Sequence, residues 1–211
     1  MSVDGKIAPV DRQGWKFFRF MTSRHRRMLH RIRSRVDAII VGVDTVIADD
    51  PSLTVRDVKG ANPIRVVLDT KARIPLGSKV LNREAPTIVA VTKDAPRRRI
   101  IMLGRKAKVL VQKRDGRVDP TELLRELKTL GVRKILVEGG GEVRWAFFKA
   151  NLVDDLFVWI TPHVWGGRDA PTLVDGTGFI NETEAVPLRL VRSRLVDNLL
   201  ILSFSVKRSQ V

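Results

Sequence analysis

The chain contains no cysteine and no tyrosine. Without thiols it can form no disulfide, run no thiolate chemistry and build none of the usual structural zinc sites. Its three histidines, His25, His30 and His163, stand apart and in no H-x-E or HExxH arrangement, so no metal is expected. No apolar run approaches the ~20 residues of a membrane span, and the chain does not open on a charged-then-apolar export signal. A cytoplasmic protein with no membrane partner is expected. Acids are also scarce: Lys and Arg total 39 against 23 Asp and Glu, a net charge of +16, and the whole stretch from Arg12 to Val36 carries neither Asp nor Glu. An electropositive end of this kind favours a phosphorylated ligand, small or polymeric. A polymer would need aromatics for base stacking, and these make up only 6% of the chain. Nucleic-acid binding is therefore the lesser alternative, kept open by Trp15, Phe17, Phe18 and Phe20 within the basic stretch.

What is present is an alternation of apolar, β-branched runs with helical ones. A length of 211 residues suits one domain spanning 1–211. Thr22–Arg35 has helical spacing, with Met28, Leu29, Ile32 and Val36 as its apolar stripe and Thr22 or Ser23 as its cap. Ala38–Val43 reads as a buried strand that runs into an Asp-rich turn and a short return through Leu53–Arg56. Ile64–Asp69, Thr87–Val91, Val109–Gln112 and Lys134–Val137 are further strands. Pro120–Leu130, capped by Asp119 and with Leu123, Leu124, Leu127 and Leu130 facing inward, is a helix, as is Glu142–Asn151. Leu156–Thr161 follows, and then two runs, Leu188–Leu195 and Leu199–Lys207, that can pair as a hairpin. This order predicts a three-layer α/β domain: a mixed sheet flanked by helices and finished by a C-terminal antiparallel hairpin.

The chemistry is expected at strand ends, where open α/β sheets hold their ligands. At Glu138-Gly139-Gly140-Gly141 a strand passes into a helix through three glycines, so a phosphate could approach backbone N–H groups at the helix's positive end. A plain tight turn is the bland reading of the same residues. The G-x-G-x-x-G fingerprint is missing, because Gly176-x-Gly178 follows no strand and reaches Asn181 at its third position. Glu138 is placed for acid–base work or as a simple cap. Thr45, Asp49 and Asp50 occupy the other turn, as ligand contacts or as an Asx-type turn. Arg33 and Arg56 are candidate phosphate clamps, since guanidinium binds phosphate bidentately.

Five segments together resemble a known family: MSVDGKIA (1–8), HRIRSRVDAIIVGVDTVIADDPSLTVR (30–56), NPIRVVLDT (62–70), KILVEGGGEV (134–143) and TPHVWGGRDAPTLVDGTG (161–178). They resemble the pyrimidine reductases of riboflavin biosynthesis, in particular the stand-alone archaeal and fungal 2,5-diamino-6-ribosylamino-4(3H)-pyrimidinone 5′-phosphate reductases. The resemblance implies a dihydrofolate-reductase-like fold, NADPH as hydride donor and a homodimer. It assigns Thr45, Asp49, Asp69, Thr70, Lys71, Ala72, Gly139, Gly140, Gly141 and Glu142 to the cofactor. Arg33, Leu53, Arg56 and Glu138 fall to the substrate, and Glu138 and Lys6 to catalysis. Lys71, Arg73 and Lys93 are candidates for the cation that would read the 2′-phosphate of NADPH. Family members carry a strand before the SVDGK element, so either Met1 is internal to a longer reading frame or that strand is expected to be missing here. A reductase acting on the deaminated pyrimidine or on dihydrofolate, a basic nucleic-acid-binding protein, and a protein that merely keeps the fold are the rivals.

Overall fold

Five short strands rich in β-branched residues form the centre of the computed structural model, which describes residues 1–207. They are β1 (Ala38–Gly42), β2 (Ile64–Leu68), β3 (Thr87–Thr92), β4 (Lys108–Gln112) and β5 (Ile135–Val137). All pair in parallel, in the order β4-β3-β2-β1-β5. Strands buried on both faces read as continuous apolar runs, and alternation then decides which face each residue serves. Ile39, Val41, Val67, Val89 and Val91 enter one apolar cluster, closed by Val46 of α2 (Val43–Asp49) and Leu103 of α3 (Arg97–Gly104). Ala38, Ile40, Val66, Ile88 and Ala90 enter the other, closed by Leu123 and Leu127 of α4 (Pro120–Thr129) and Phe147 of α5 (Gly141–Lys149).

The remaining strands, β6 (Asp155–Ile160), β7 (Leu188–Val196) and β8 (Leu199–Val206), form a separate antiparallel sheet in the order β6-β8-β7. The α/β class and the C-terminal hairpin are as expected, but the parallel and antiparallel strands hydrogen-bond as two sheets. The N-terminal residues cross toward the later part of the chain through single bridges, Ser2 with Thr161 and Lys6 with Thr172. Helix α1 (Ser23–Arg33), capped by Thr22, packs Met28 against the Val196, Leu199 and Ile201 cluster of the antiparallel sheet.

Several local readings change. The Asp-rich turn after β1 is helix α2, because Val43 and Val46, one helical turn apart, are both buried and Asp44 suits the first turn. It ends at Asp50 in the left-handed region, just before Pro51. Leu53–Arg56 forms no strand, and α3 is hidden in the sequence by the run Arg97-Arg98-Arg99. Leu130 lies at the exposed end of α4 and does not face inward. On α1 the fully buried residues are His25, His30 and Arg33, while the expected apolar stripe is only half-buried.

Arg65 on β2 has no accessible surface, and it ties the sheet to the 79–87 segment. Its guanidinium donates to Thr87 Oγ1 at 3.0 Å, Asn82 Oδ1 at 2.9 Å, Lys79 O at 3.2 Å and Asn82 O at 2.6 Å. Replacing Arg65 with Met fills the space but orphans those acceptors. The expected loss is about 3 kcal/mol or more, seen in thermal unfolding as a Tm lower by roughly 6–12 °C; an unchanged Tm would show that the acceptors find other donors.

Candidate active site

The strand order places a topological switch point between β1 and β5: successive strands step outward from β1 to β4, and the chain then returns to β1's other side. Crevices outside the carboxyl ends of parallel strands form at such points. Here the crevice is a cleft of about 650 Å³. Its walls come from α2, the 51–56 segment, the β5–α5 junction and residues 7–18, with Pro171 and Asp175 closing one side.

At the β5–α5 junction the backbone is bare. The first helical position of α5 follows Gly140, which has a φ of 79° and supplies no side-chain cap, so the first-turn amides of α5 face the cleft uncapped. A Cβ on Gly139 would come within 3.0 Å of both Thr45 Oγ1 and a Val41 methyl, and one on Gly141 within 2.2 Å of Asp175 Oδ2. The three glycines thus allow α2, α5 and the 172–175 turn to meet. A dinucleotide pyrophosphate fits this cradle of aligned N–H groups.

Next to the cradle lies an ion pair between buried Arg33 and partly buried Glu138. Arg33 Nε donates to Glu138 Oε1 at 2.7 Å and its Nη2 to Oε2 at 2.6 Å, while Nη1 donates to Thr54 O at 3.2 Å. Arg144, one helical turn beyond the glycines, donates to the carbonyl of Glu138 at 2.6 Å and to that of Leu173 at 3.1 Å. Burial pulls the Arg144 guanidinium below its usual range, against the opposing pull of Glu138 and Asp175. Asp49 has the reverse setting. One of its oxygens is buried with no partner, and burial pushes its carboxyl above the usual range; Asp11 adds to the rise, and the backbone amides of Trp15 and Gly14 oppose it. The Gly14–Phe20 3-10 segment lies over that carboxylate, with Trp15 and Phe18 on the cleft wall.

Ten of the residues singled out from sequence line this one cleft: Arg33, Thr45, Asp49, Leu53, Arg56, Glu138, Gly139, Gly140, Gly141 and Glu142. Others lie off it. Lys6 sits behind the wall with its ammonium on Ala170 O at 3.1 Å, next to the cleft-lining Ile7 and Pro171. Asp69 has no accessible surface and accepts from the amides of Arg73 at 2.8 Å and Ile74 at 2.7 Å, so it shapes the 69–74 turn instead of reaching a ligand. Thr70, Lys71 and buried Ala72 belong to that same turn, which meets α2 through an ion pair of Arg73 with Asp44 at 2.7 Å. Lys93 pairs with Asp115 at 3.1 Å, which leaves Lys71 as the candidate 2′-phosphate cation with no partner among the described residues. Arg33 enters the site already paired with Glu138, so of the two candidate phosphate clamps the exposed Arg56 is the one left free of an acid among the described residues. Glu142 shares its carboxylate with Arg117 at 2.5 Å.

Sequence reading missed Arg144, Asp175 and the 11–18 wall. The signal for Arg144 is there in EGGGEVR: an Arg four residues after the helix-capping glycine is placed to reach back across it. Among the described residues no group of three or more His, Asp or Glu is arranged for a metal, and no helix is long and apolar enough to cross a membrane.

Comparison with known proteins agrees with this architecture. Residues 1–202 match the family model described as the RibD C-terminal domain. The chain belongs to that family. It is 40% identical over 210 residues to the 2,5-diamino-6-ribosylamino-4(3H)-pyrimidinone 5′-phosphate reductase of Methanothermobacter thermautotrophicus, covering 98% of this chain and 95% of the relative. It is 39% identical to the protein of the same name from Aquifex aeolicus, covering 93% and 88%. Among solved structures, Acinetobacter baumannii RibD superposes with a TM-score of 0.78 at 25% identity, and this chain spans 55% of that longer one. A pyrimidine reductase-like protein from Corynebacterium diphtheriae gives a TM-score of 0.82 over 99% of this chain at 18% identity, which speaks for the fold alone.

Removing either partner of the Arg33–Glu138 pair strands a charge in a buried place, so each single substitution, Arg33→Ala or Glu138→Gln, should cost about 3 kcal/mol. The double substitution should cost much less than their sum. A double-mutant cycle on chemical denaturation measures this, and additive losses would mean that the pair is not coupled.

Proposed function

We propose that this chain is an NADPH-dependent reductase that converts the ribosylamino side chain of 2,5-diamino-6-ribosylamino-4(3H)-pyrimidinone 5′-phosphate to the ribitylamino form in riboflavin biosynthesis. The observation that carries this reading is the meeting, at one switch point, of an uncapped glycine cradle with the Leu53–Arg56 segment and the Glu138 carboxylate. The names of relatives at about 40% identity over nearly the full chain support the same substrate.

Thr45 and the amides of Gly139, Gly140 and Gly141 would hold the cofactor's pyrophosphate region, and Lys71 would read its 2′-phosphate. A bound NADPH supplies hydride. Arg56 would take the substrate's 5′-phosphate, with buried Leu53 packing beside it. Glu138, both oxygens fixed by Arg33, is an acceptor suited to ribose hydroxyls and poorly suited to moving protons. Asp49 is the better candidate for the proton, because burial raises its carboxyl above the usual range and one of its oxygens has no partner among the described residues. Ring opening moves the amine proton to the ribose ring oxygen and leaves a C1′=N imine. Hydride then adds to C1′ and a proton to nitrogen, so one hydride and one proton are consumed per turnover. Trp15 and Phe18, on the cleft wall, would shield the reacting groups from water.

The decisive measurement is loss of NADPH absorbance with the diamino substrate, using the deaminated pyrimidine as control. Turnover should follow the diamino form, and Arg56→Ala should raise KM by at least tenfold while kcat changes little, the mark of a lost ground-state phosphate contact. No oxidation of NADPH with either pyrimidine would remove the reading.

The reading carries with it a cytoplasmic homodimer, and β7 is where a second copy fits best. It is an edge strand whose outer side has no strand partner among the described residues, and Leu190, Val191 and Leu195 are 54%, 59% and 71% exposed. An unpaired edge with apolar side chains is a template for its own copy. Leu195→Arg should convert a dimer to a monomer in analytical ultracentrifugation; a wild-type monomer at micromolar concentration would refute the contact.

A further inference from the structure

Resting on the reductase reading, this inference concerns how Arg56 is held. Three consecutive backbone positions before and at Arg56 are each fixed by a side chain from elsewhere. Thr54 O accepts from Arg33 Nη1 at 3.2 Å, the Val55 amide donates to Asn62 Oδ1 at 2.7 Å, and the Arg56 amide donates to His30 Nδ1 at 3.2 Å. The segment needs such support, because Leu53 and Asp57 on either side of it adopt φ values of 52° and 61°, left-handed conformations that non-glycine residues disfavour. Of the three anchors, Arg33 stays charged and Asn62 does not titrate. His30 alone can change protonation near neutral pH.

His30 lies one helical turn before Arg33 on the buried face of α1, at 4% exposure. To accept from the Arg56 amide its Nδ1 must carry a lone pair, which puts the ring proton on Nε2, 3.9 Å from Asp57 Oδ2. Protonating Nδ1 would set two donors against each other and break the contact. The groups facing the ring are Arg33 from α1, and the Thr54 backbone, Arg56 and Asp57 from the facing segment. Burial holds the imidazole below its usual pKa, helped by Arg33 and Arg56 and opposed by Asp57 and the Thr54 backbone. The anchor is thus intact at neutral pH and is lost as pH falls through the imidazole's lowered pKa.

We propose that His30 is a positioning residue for substrate phosphate binding: its neutral imidazole fixes the Arg56 backbone so that the guanidinium faces the cleft, and its protonation releases that clamp. The cofactor cradle shares no contact with His30, so NADPH affinity stays outside this control.

The test compares wild type, His30→Asn and His30→Ala by steady-state kinetics between about pH 5 and pH 8. Asn retains an acceptor at the Nδ1 position and does not titrate. The substrate's own phosphate also takes a proton near pH 6, so the difference between wild type and His30→Asn isolates the imidazole. In wild type KM should rise on the acid side as the imidazole takes its proton and level off at roughly five- to tenfold, the effect of losing the anchor. The Asn variant should show only the shallower phosphate effect, with a neutral-pH KM near wild type. His30→Ala should raise neutral-pH KM by roughly five- to tenfold with kcat and NADPH Kd little changed. In the ligand-free protein, the ¹⁵N resonance of the Arg56 amide should titrate in wild type and stay flat in His30→Asn. Superimposable KM profiles for wild type and the Asn variant, or a flat Arg56 amide in wild type, overturn the proposal. If no variant oxidises NADPH with the substrate, the reductase reading fails while the amide titration still decides whether His30 governs Arg56. If His30→Ala does not fold, the Asn variant and the amide titration carry the decision.

Discussion

The cleft depends on the Arg33–Glu138 pair. It ties together three parts of the chain that are remote in sequence: the end of α1, the carboxyl end of β5 and, through Thr54 O, the loop after α2. Burying two charges is costly, and their attraction offsets the cost only when geometry is good and the remaining donors find partners. Both conditions hold, with a bidentate fork at 2.6–2.7 Å and the third guanidinium nitrogen on a backbone carbonyl. Neither residue has a substitute: a Lys at 33 would lose the fork, and an Asp at 138 would fall short of it.

Positive charge in this protein is abundant, and several of the charges around the cleft are committed to partners. Around the cleft, Arg33 answers Glu138, Arg144 lies between Glu138 and Asp175, Arg73 answers Asp44 and Arg117 answers Glu142. Arg56 is an exposed cleft cation without a side-chain partner among the described residues, so the net charge of +16 contributes background attraction for phosphates while local pairing supplies selectivity. The aromatics of the basic stretch are also engaged. Trp15 and Phe18 line the cleft, and Phe17 and Phe20 pack against His163 and Trp165, which favours a small phosphorylated ligand over a stacked polymer.

The central sheet was legible because β-branched runs such as AIIVG and IRVVL leave no other burial solution, and α4 because Asp119, Pro120 and the leucine spacing agree. Helices α2 and α3 were not: one is dense in Asp, the other in Arg, and each is held by two or three apolar contacts that only the folded sheet provides. The turns at Thr45, Arg56 and Gly140 stood out because strand ends and glycines carry local signals, but those signals fit plain turns as well, and it was the family resemblance that assigned their residues to ligands. Sequence could not show that Arg33 is spent on Glu138, or that Asp69 accepts two amides within its own turn, since both are matters of what lies opposite in space. The buried polar face of α1 was hidden for the same reason. Its apolar stripe has the stronger periodicity, yet His25, His30 and Arg33 are more deeply buried because the hairpin and the 54–57 segment offer them carbonyls, amides and a carboxylate.

Two carboxylates, Glu138 and Asp49, share the cleft in contrasting surroundings. Glu138 meets a guanidinium with both oxygens, so its charge is compensated and its geometry fixed. Asp49 is half-buried beneath the 3-10 segment with one oxygen unpartnered and an acid, Asp11, nearby. Burial raises the Asp49 carboxyl above its usual range, while the ion pair fixes the orientation of Glu138, so two acids of similar chemistry stand in different settings. On the proposed reading, Glu138 would be the fixed acceptor that holds the polyol chain and Asp49 the acid that would give the proton to nitrogen. On that reading, the burial that raises the Asp49 carboxyl is as much a part of the site as the ion pair that fixes Glu138, with Asp11 adding to the rise and the Trp15 and Gly14 amides opposing it.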